Sequence, residues 1–446
     1  MKSLFTDHIE ILQQRSSTLL EQEKFDALII HSGSSKNYFL DDYAAPFKPN
    51  PHFVQWMPFL TEHPECWLVI KAGFKPCLYL YSPDDFWHMT PQEPTDFWCN
   101  LFDVQLYTDR DTLLKKLPGL CARSGASTSV ALIAEDSMDL PQVTLQHNPQ
   151  VLMHGLHYLR ASKTPWEQHC LREANRIAVS GHRFTQHGFD EGLSEYELHQ
   201  GYISAITHLE KDLPYNNIIG LNEHAAVLHY QYKDRIAPNQ HRTLLVDAGA
   251  VYHGYVADIT RTVCKGSADF HALLEAMDKA QQSLVDKIKP GVSFISLHEM
   301  MHQQLFRILC DAGIIKRGDL LDEAAALSIT RTFYPHGLGH LLGIQVHDIG
   351  GWQQDSVGGI SKPPEQHPFL RLTRTLQENF VVTVEPGLYF IPLLLNKLKL
   401  TPLAAHIDWP LVDALSPWGG IRIEDNVCVT ATGVDNYTRA AFNNLK

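Results

Sequence analysis

The chain has 446 residues, 44% of them hydrophobic and 20% charged. That is too long for one ordinary core and predicts two domains, and it excludes a disordered or fibrous protein. A formal net charge of −13 without any cluster of Lys and Arg excludes a nucleic-acid partner, and no apolar run approaches the roughly 18 residues of a membrane span.

At the start, Asp7, Glu10, Gln13 and Gln14 interrupt the apolar run that a secretory signal needs, so the expected location is the cytoplasm. Strand-like runs at Ala27 to His31 and Cys66 to Ile70 alternate with helix-like stretches up to about Arg160, which predicts an N-terminal α/β domain over residues 1–160. Between those strands, Asp41 to Pro58 carries too many breakers for a helix and is expected as an outward-reaching ordered loop. The eight cysteines show no CxxC spacing and are expected as reduced thiols.

Pro165 sits where the first turn of a helix needs no N–H, and it opens a second domain over residues 161–446. Helices are predicted around 165–188, 194–210, 270–288 and 294–312, with strands between them. Among those strands, Thr243 to Val251 and Gly254 to Thr262 flank Tyr252 and His253. A hairpin there pairs residues whose numbers sum to about 505 and sets Asp247 opposite Asp258. Two like charges about 4 Å apart repel by roughly 4 kcal/mol at an effective dielectric near 20. Either a raised pKa on one acid or a bound cation must compensate.

Further along, His336, His340 and His347 lie in the glycine-rich stretch PHGLGHLLGIQVHD, where glycines can bring backbone close to a ligand. The stretch from Gly350 to Pro368 predicts a long loop of the kind that is often functional. Glu385 follows the apolar strand Val381 to Val384 and precedes a Pro-Gly break, and in GGIRIED the two-residue period puts Arg422 and Glu424 on one face. Singly, each of these acids is an ordinary surface carboxylate. Four strand-borne acids with an imidazole suit Mn²⁺, Co²⁺ or Fe²⁺ better than a structural zinc, and two divalent ions would balance their charge.

The blocks VDAGAVYHGYVADITRT, HGLGHLLGIQVHD, VEPGLYF and GGIRIED, in this order, resemble the pita-bread (creatinase/aminopeptidase-like) metallopeptidases. The closest likeness is to the bacterial Xaa-Pro dipeptidases, or prolidases, and FKPNPHFVQWMP is similar to their branch that includes organophosphorus acid anhydrolases. The resemblance implies an α+β architecture with a pita-bread catalytic domain after the N-terminal one, which would govern substrate access and dimer contacts. It implies two metal ions, Mn²⁺ first and Co²⁺ as the alternative, on Asp247, Asp258, His340, Glu385 and Glu424, with Asp258 bridging and a hydroxide held between the ions as nucleophile.

Catalytic roles are implied for Glu385 as proton shuttle, for His229 and His347 as donors to the substrate, and for Arg422, which would orient Glu424 or contact substrate. Arg371, otherwise a surface salt-bridge residue, is similar in position to the arginine that reads the product carboxylate. Tyr215, otherwise a packing tyrosine, and His336 would line the substrate pocket. The implied reaction is hydrolysis of Xaa-Pro dipeptides by a homodimer, with organophosphate triesters as a side substrate. The alternatives are an aminopeptidase acting on longer Xaa-Pro peptides and a non-catalytic binding module on the same fold.

Overall fold

The computed structural model describes residues 1–122, 128–140 and 142–444. They divide into two compact units. The first comprises Met1–Arg160, Thr164–Glu167 and Gln354–Gly359, and the second Ala161–Lys163, Gln168–Gln353 and Ile360–Lys446.

The first unit is built on a six-stranded mixed sheet of β1 (Ala27–His31), β2 (Trp67–Ile70), β3 (Cys77–Tyr81), β4 (Asp103–Tyr107), β5 (Ser129–Ile133) and β6 (Thr144–His147). The strand order is β4-β3-β2-β1-β5-β6. All five residues of β1 are buried, which is why it reads as a continuous apolar run rather than an alternating one. A helix over Lys2–Glu23 buries Phe5, His8, Ile9, Leu12, Ser16, Leu19 and Leu20 along one stripe. Both ring nitrogens of the buried His8 are bonded, Nδ1 to Thr164 Oγ1 and Nε2 to the Gln55 carbonyl, each at 2.8 Å.

The stretch expected as a loop over Asp41 to Pro58 divides in two. Asp41, Asp42 and Tyr43 are exposed, while Pro51–Trp56 forms a short buried helix. The breakers that argued against a helix begin it: the Asn50 side chain accepts from His52 N, and Pro51 takes the first-turn position.

The long helices run Pro165–Glu191, which belongs to the second unit from Gln168 onward, and, within the second unit, Glu195–Ile206, Ala268–Val285 and Phe294–Asp311. The second of these stops four residues short of the expected end because Thr207 adopts a left-handed cap at φ 57°. Among the described residues of the second unit, four shorter α-helices, Glu323–Phe333, Pro392–Lys399, Trp409–Leu415 and Tyr437–Asn444, lie outside the expected helical stretches. The acids are carried by small antiparallel sheets. These comprise β7 (Ile218–Leu221), β8 (Thr243–Asp247), β9 (Val251–Tyr252), β10 (Tyr255–Val256), β11 (Thr260–Cys264), β12 (Val381–Val384), β13 (Gly387–Tyr389), β14 (Gly420–Arg422), β15 (Asp425–Val429) and β16 (Val434–Asn436). Their pairings are β11-β8-β7, β10-β9, β12-β15-β16 and β13-β14.

The hairpin departs from its expected register. Thr260 pairs with Asp247 and Tyr255 with Tyr252, so partner numbers sum to 507 rather than about 505. His253 and Gly254, at φ 47° and 77°, make the turn, with the positive φ at both positions that a type I′ hairpin loop requires. A shift of two in the sum keeps every side chain on its face, and Asp258 remains beside Asp247.

Candidate metal and active site

Four chain segments converge on the acids. Asp247 ends β8, and Asp258 lies just before β11, where its N–H donates to Asn426 Oδ1 at 3.0 Å and its carbonyl accepts from Asn426 Nδ2. Glu424, between β14 and β15, is hydrogen-bonded through its N–H to the Thr260 carbonyl at 3.0 Å. The segment 336–342 runs beside β12. His340 N donates to Thr383 Oγ1, Thr383 N donates to the His340 carbonyl, and Glu385 N donates to the Leu338 carbonyl.

The glycines of this segment serve that contact. A Cβ on Gly339 would collide with the Thr383 carbonyl, and one on Gly337 would press on the Leu370 backbone. At these two positions the close approach is to neighbouring strand and loop backbone.

The ligand atoms of Asp258, His340 and Glu424 all lie within 4.8 Å of one another. His340 Nε2 is 3.4 Å from Asp258 Oδ2 and 3.6 Å from Glu385 Oε1. Because His340 Nδ1 donates to the Leu341 carbonyl at 2.9 Å, Nε2 is the ring nitrogen that faces the carboxylates, and, against the cost of burial, the neighbouring Asp258 and Glu385 raise the imidazole above its ordinary value. Tyr215 Oη lies 2.8 Å from Asp247 Oδ1 and 2.5 Å from Asp258 Oδ1, and so stands between the two acids.

Arg422 is buried and does not contact Glu424. Its Nη2 donates to Asp247 Oδ2 at 2.6 Å, its Nη1 to Tyr389 Oη at 3.0 Å, and its Nε to Thr260 Oγ1 at 3.1 Å. Thr260 then donates to Glu424 Oε2 at 2.7 Å, so the guanidinium reaches Glu424 only through a hydroxyl. His336 is ordered by the same group: Nδ1 donates to the Gly337 carbonyl, and Nε2 accepts from Tyr389 at 2.8 Å. Tyr389, Thr260 and Asn426 escaped sequence reasoning because nothing in their spacing distinguishes them from packing residues.

Electrostatically the acids are unequal. Burial holds Glu424 well above the ordinary carboxylate range and pushes Glu385 up to about 7, with the neighbouring carboxylates adding to both. Asp247 is also raised by burial, against the pull of Arg422. For Asp258 the cost of burial is outweighed by hydrogen bonds from His340 and Tyr215, which bring it below its ordinary value. Glu424 Oε1 is buried without a hydrogen-bond partner.

The adjacent Asp425 points to the other face. There Arg261 at 2.6 Å, Arg439 at 2.7 Å and Asn436 at 2.8 Å surround it, and despite burial the two arginines take it down to about 2.

At the rim, His347 packs its ring edge-on against His340 with centroids 4.5 Å apart. Although His347 is exposed, desolvation of the ring and the positive charges of His340 and Arg371 lower it to about 4. His229 and Arg371 are exposed; His229 lies near enough to His336 and His347, and Arg371 to His347, to disfavour their protonation.

The fold and this set of acids define a metallopeptidase domain of the pita-bread class, and comparisons with known proteins agree. Residues 169–431 match the family model for metallopeptidase family M24, and residues 3–158 match that for the Xaa-Pro dipeptidase N-terminal domain. Similar relatives include Xaa-Pro dipeptidases of Pseudoalteromonas translucida, 44% identical over 440 residues, and of Salmonella newport, 42% identical over 441, each alignment covering 98% of both chains. Among solved structures, an Escherichia coli aminopeptidase P variant superposes with a TM-score of 0.73 at 23% identity, covering 99% of this chain and 96% of that one. The Yersinia pestis proline aminopeptidase P II gives 0.71 at 23%, covering 99% and 97%. The chain belongs to metallopeptidase family M24, a family of hydrolases, and it carries the N-terminal domain of the Xaa-Pro dipeptidase branch.

Proposed function

We propose that this protein hydrolyses Xaa-Pro dipeptides and releases proline, using two divalent ions, Mn²⁺ or alternatively Co²⁺, held by Asp247, Asp258, His340, Glu385 and Glu424. The observation that carries this reading is the convergence of Asp258, His340 and Glu424 within 4.8 Å, beside Asp247 and Glu385, in a chain 44% identical to an Xaa-Pro dipeptidase. The donor set fits such ions, because four carboxylates and one imidazole are hard oxygen and nitrogen ligands. The buried Oε1 of Glu424 has no hydrogen-bond partner, and His340 Nε2, once deprotonated, is aimed at the same acids.

When bound, the ions supply a water acidified enough to act as nucleophile near neutrality. Glu385 takes the proton of that water and returns it to the proline nitrogen, which has no hydrogen and must gain a proton to leave. His347, neutral in this setting, donates a hydrogen bond to the scissile carbonyl oxygen as negative charge builds on it, and His229 serves the leaving nitrogen. Arg371 receives the free carboxylate of proline in two parallel hydrogen bonds, the feature that separates a dipeptidase from an aminopeptidase with an open carboxyl side. Tyr215 and His336 wall the pocket. Arg422 acts as a positioning residue, since it touches Asp247 and reaches Glu424 only through Thr260.

In this reading residues 161–446 carry the chemistry and residues 1–160 govern substrate access and homodimer contacts. Exposed Phe39, Leu40, Phe86 and Trp87 in the first unit support an interface there. No helix among the described residues is long and apolar enough to cross a membrane, and the proposed location is the cytoplasm. The same activated water can attack phosphorus, so the proposal includes organophosphate triesters as side substrates.

The test is removal of metal by chelation, restoration with Mn²⁺, Co²⁺ or Zn²⁺ in turn, and assay on Ala-Pro, Leu-Pro, Ala-Pro-Ala and Ala-Ala. Metal-restored cleavage of the two Xaa-Pro dipeptides alone is expected. Equal cleavage of Ala-Pro-Ala would turn the assignment to an aminopeptidase, and no restoration by any ion would overturn it.

A further inference from the structure

A second cluster of metal-binding side chains lies outside the acids. The helix Phe294–Asp311 contains His298-Glu299-Met300-Met301-His302, an H-E-x-x-H sequence that sets two imidazoles four residues apart on one helical face. His298 and His302 are buried, whereas Glu299 is exposed and points elsewhere. His367, from the loop expected to be functional, completes a buried triad. Ligand nitrogens of His298, His302 and His367 lie within 4.8 Å of one another, and the ring centroids are 4.3 to 5.0 Å apart.

The hydrogen bonds around the triad prepare lone pairs. Thr330 gives its hydroxyl proton to the Leu327 carbonyl, so it accepts from His302 Nδ1 at 2.9 Å, and the lone pair of His302 is left on Nε2. A fixed Nδ1–H on a partner oxygen is the usual way a ligand histidine is oriented. His298 Nε2 and His367 Nδ1 face each other at 2.9 Å and share a single proton, so a tautomer shift in one ring frees both nitrogens without net proton release. Burial lowers His298 to about 2 and His302 to about 3, with the neighbouring imidazoles adding to each, so both are neutral at working pH.

The three histidines line a cavity of about 20 Å³, together with Arg331, Tyr334 and His336 among others. That is room for one water-sized occupant. The Tyr334 hydroxyl and His298 Nδ1 are both buried without a partner, so the cavity wall contains polar groups in want of a ligand. Arg331 opposes a cation there, but it is exposed, and solvent screens it.

We propose that His298, His302 and His367 form an additional metal site, separate from the carboxylate site, for one divalent transition ion of the zinc class. Three neutral imidazoles suit Zn²⁺ or Cu²⁺ and leave a fourth position open, on the side where the Tyr334 hydroxyl lines the cavity. The exposed Glu299 separates this site from the metalloprotease use of the same sequence motif, in which the glutamate acts as general base.

The experiment loads the full-length protein with Cu²⁺ and reads its electron paramagnetic resonance, then counts Zn²⁺ per chain after dialysis for the wild type, His298→Gln and His302→Gln. The expected results are a Cu²⁺ signal coupled to three imidazole nitrogens in the wild type, which the single imidazole of the carboxylate site cannot give, and one Zn²⁺ fewer per chain in each variant. The wild-type spectrum stands whether or not the variants fold. A wild-type signal with fewer than three nitrogens, or an unchanged zinc count in variants with native circular dichroism, overturns the proposal.

Discussion

Arg422 donates to Asp247 Oδ2 across 2.6 Å inside the protein, so the acid that ends β8 is held by a guanidinium on one oxygen and by Tyr215 on the other. Outer partners of this kind typically contribute ten- to a hundredfold to metal affinity. Arg422→Lys keeps the charge but loses the fork that also reaches Tyr389 and Thr260. The expected outcome is roughly a 10- to 100-fold weaker hold on Mn²⁺ in a chelator competition, with kcat falling more than KM changes. Wild-type metal affinity in Arg422→Lys would show the fork to be dispensable.

The Lys163–Asp348 pair, at 2.8 Å with both side chains about 1% exposed, gives a prediction about stability. Removing one partner of a buried ion pair takes away the balancing charge and costs about 3–5 kcal/mol, while replacing both by apolar residues is often close to neutral. Lys163→Met is expected to lower stability by about that amount in a denaturant titration, and the double change Lys163→Met with Asp348→Leu to recover most of it. Additive losses in the double variant would sink this account.

Gly339 offers a substitution next to a proposed ligand. A methyl group there would meet the Thr383 carbonyl, which itself receives no relief from a flexible side chain. Gly339→Ala is expected to cost about 1–3 kcal/mol and to shift His340, so that bound metal and activity fall together in a protein that still folds. A fully active, fully metallated Gly339→Ala would mean that the strand moves aside without disturbing His340.

His182 predicts a pH dependence far from the acids. It is buried, its Nε2 donates to the Ala248 carbonyl at 3.0 Å, and burial lowers it to about 3. An unfolded histidine titrates near 6.5. Between pH 6.5 and 3 the unfolded chain therefore holds a proton that the folded one does not, and stability falls as pH falls, by up to about 1.4 kcal/mol per unit from this residue. Above pH 6.5 its contribution is flat. Urea unfolding of the metal-free protein from pH 7 to 4 is expected to show a shallower pH slope for His182→Gln than for the wild type; equal slopes would rule the histidine out.

Much of the second unit was legible because four of the proposed ligands, the acids, sit at or beside strand ends, where a two-residue period makes faces countable. Even the wrong turn residues kept Asp247 and Asp258 together, since 505 and 507 share a parity. What escaped were residues whose role depends on contact across the fold. Tyr389 joins Arg422 to His336, and Thr260 joins Arg422 to Glu424, yet each reads in sequence as an ordinary strand residue. The H-E-x-x-H stretch at His298 was written plainly in the sequence, but His367 lies 69 residues from His298, and only the fold brings them together. The helix at Pro51–Trp56 was missed because Asn-Pro was taken as an interruption when it was a beginning.

Glu424 and Asp425 are neighbours with opposite electrostatic circumstances: one has an oxygen left alone in the interior, the other is satisfied by two arginines and an amide. Every charge that braces β15 is thus neutralised by the chain itself, and the unmet demand is confined to a single face. In the proposed reading an ion is therefore drawn to the Glu424 side of this strand and finds nothing to balance on the Asp425 side.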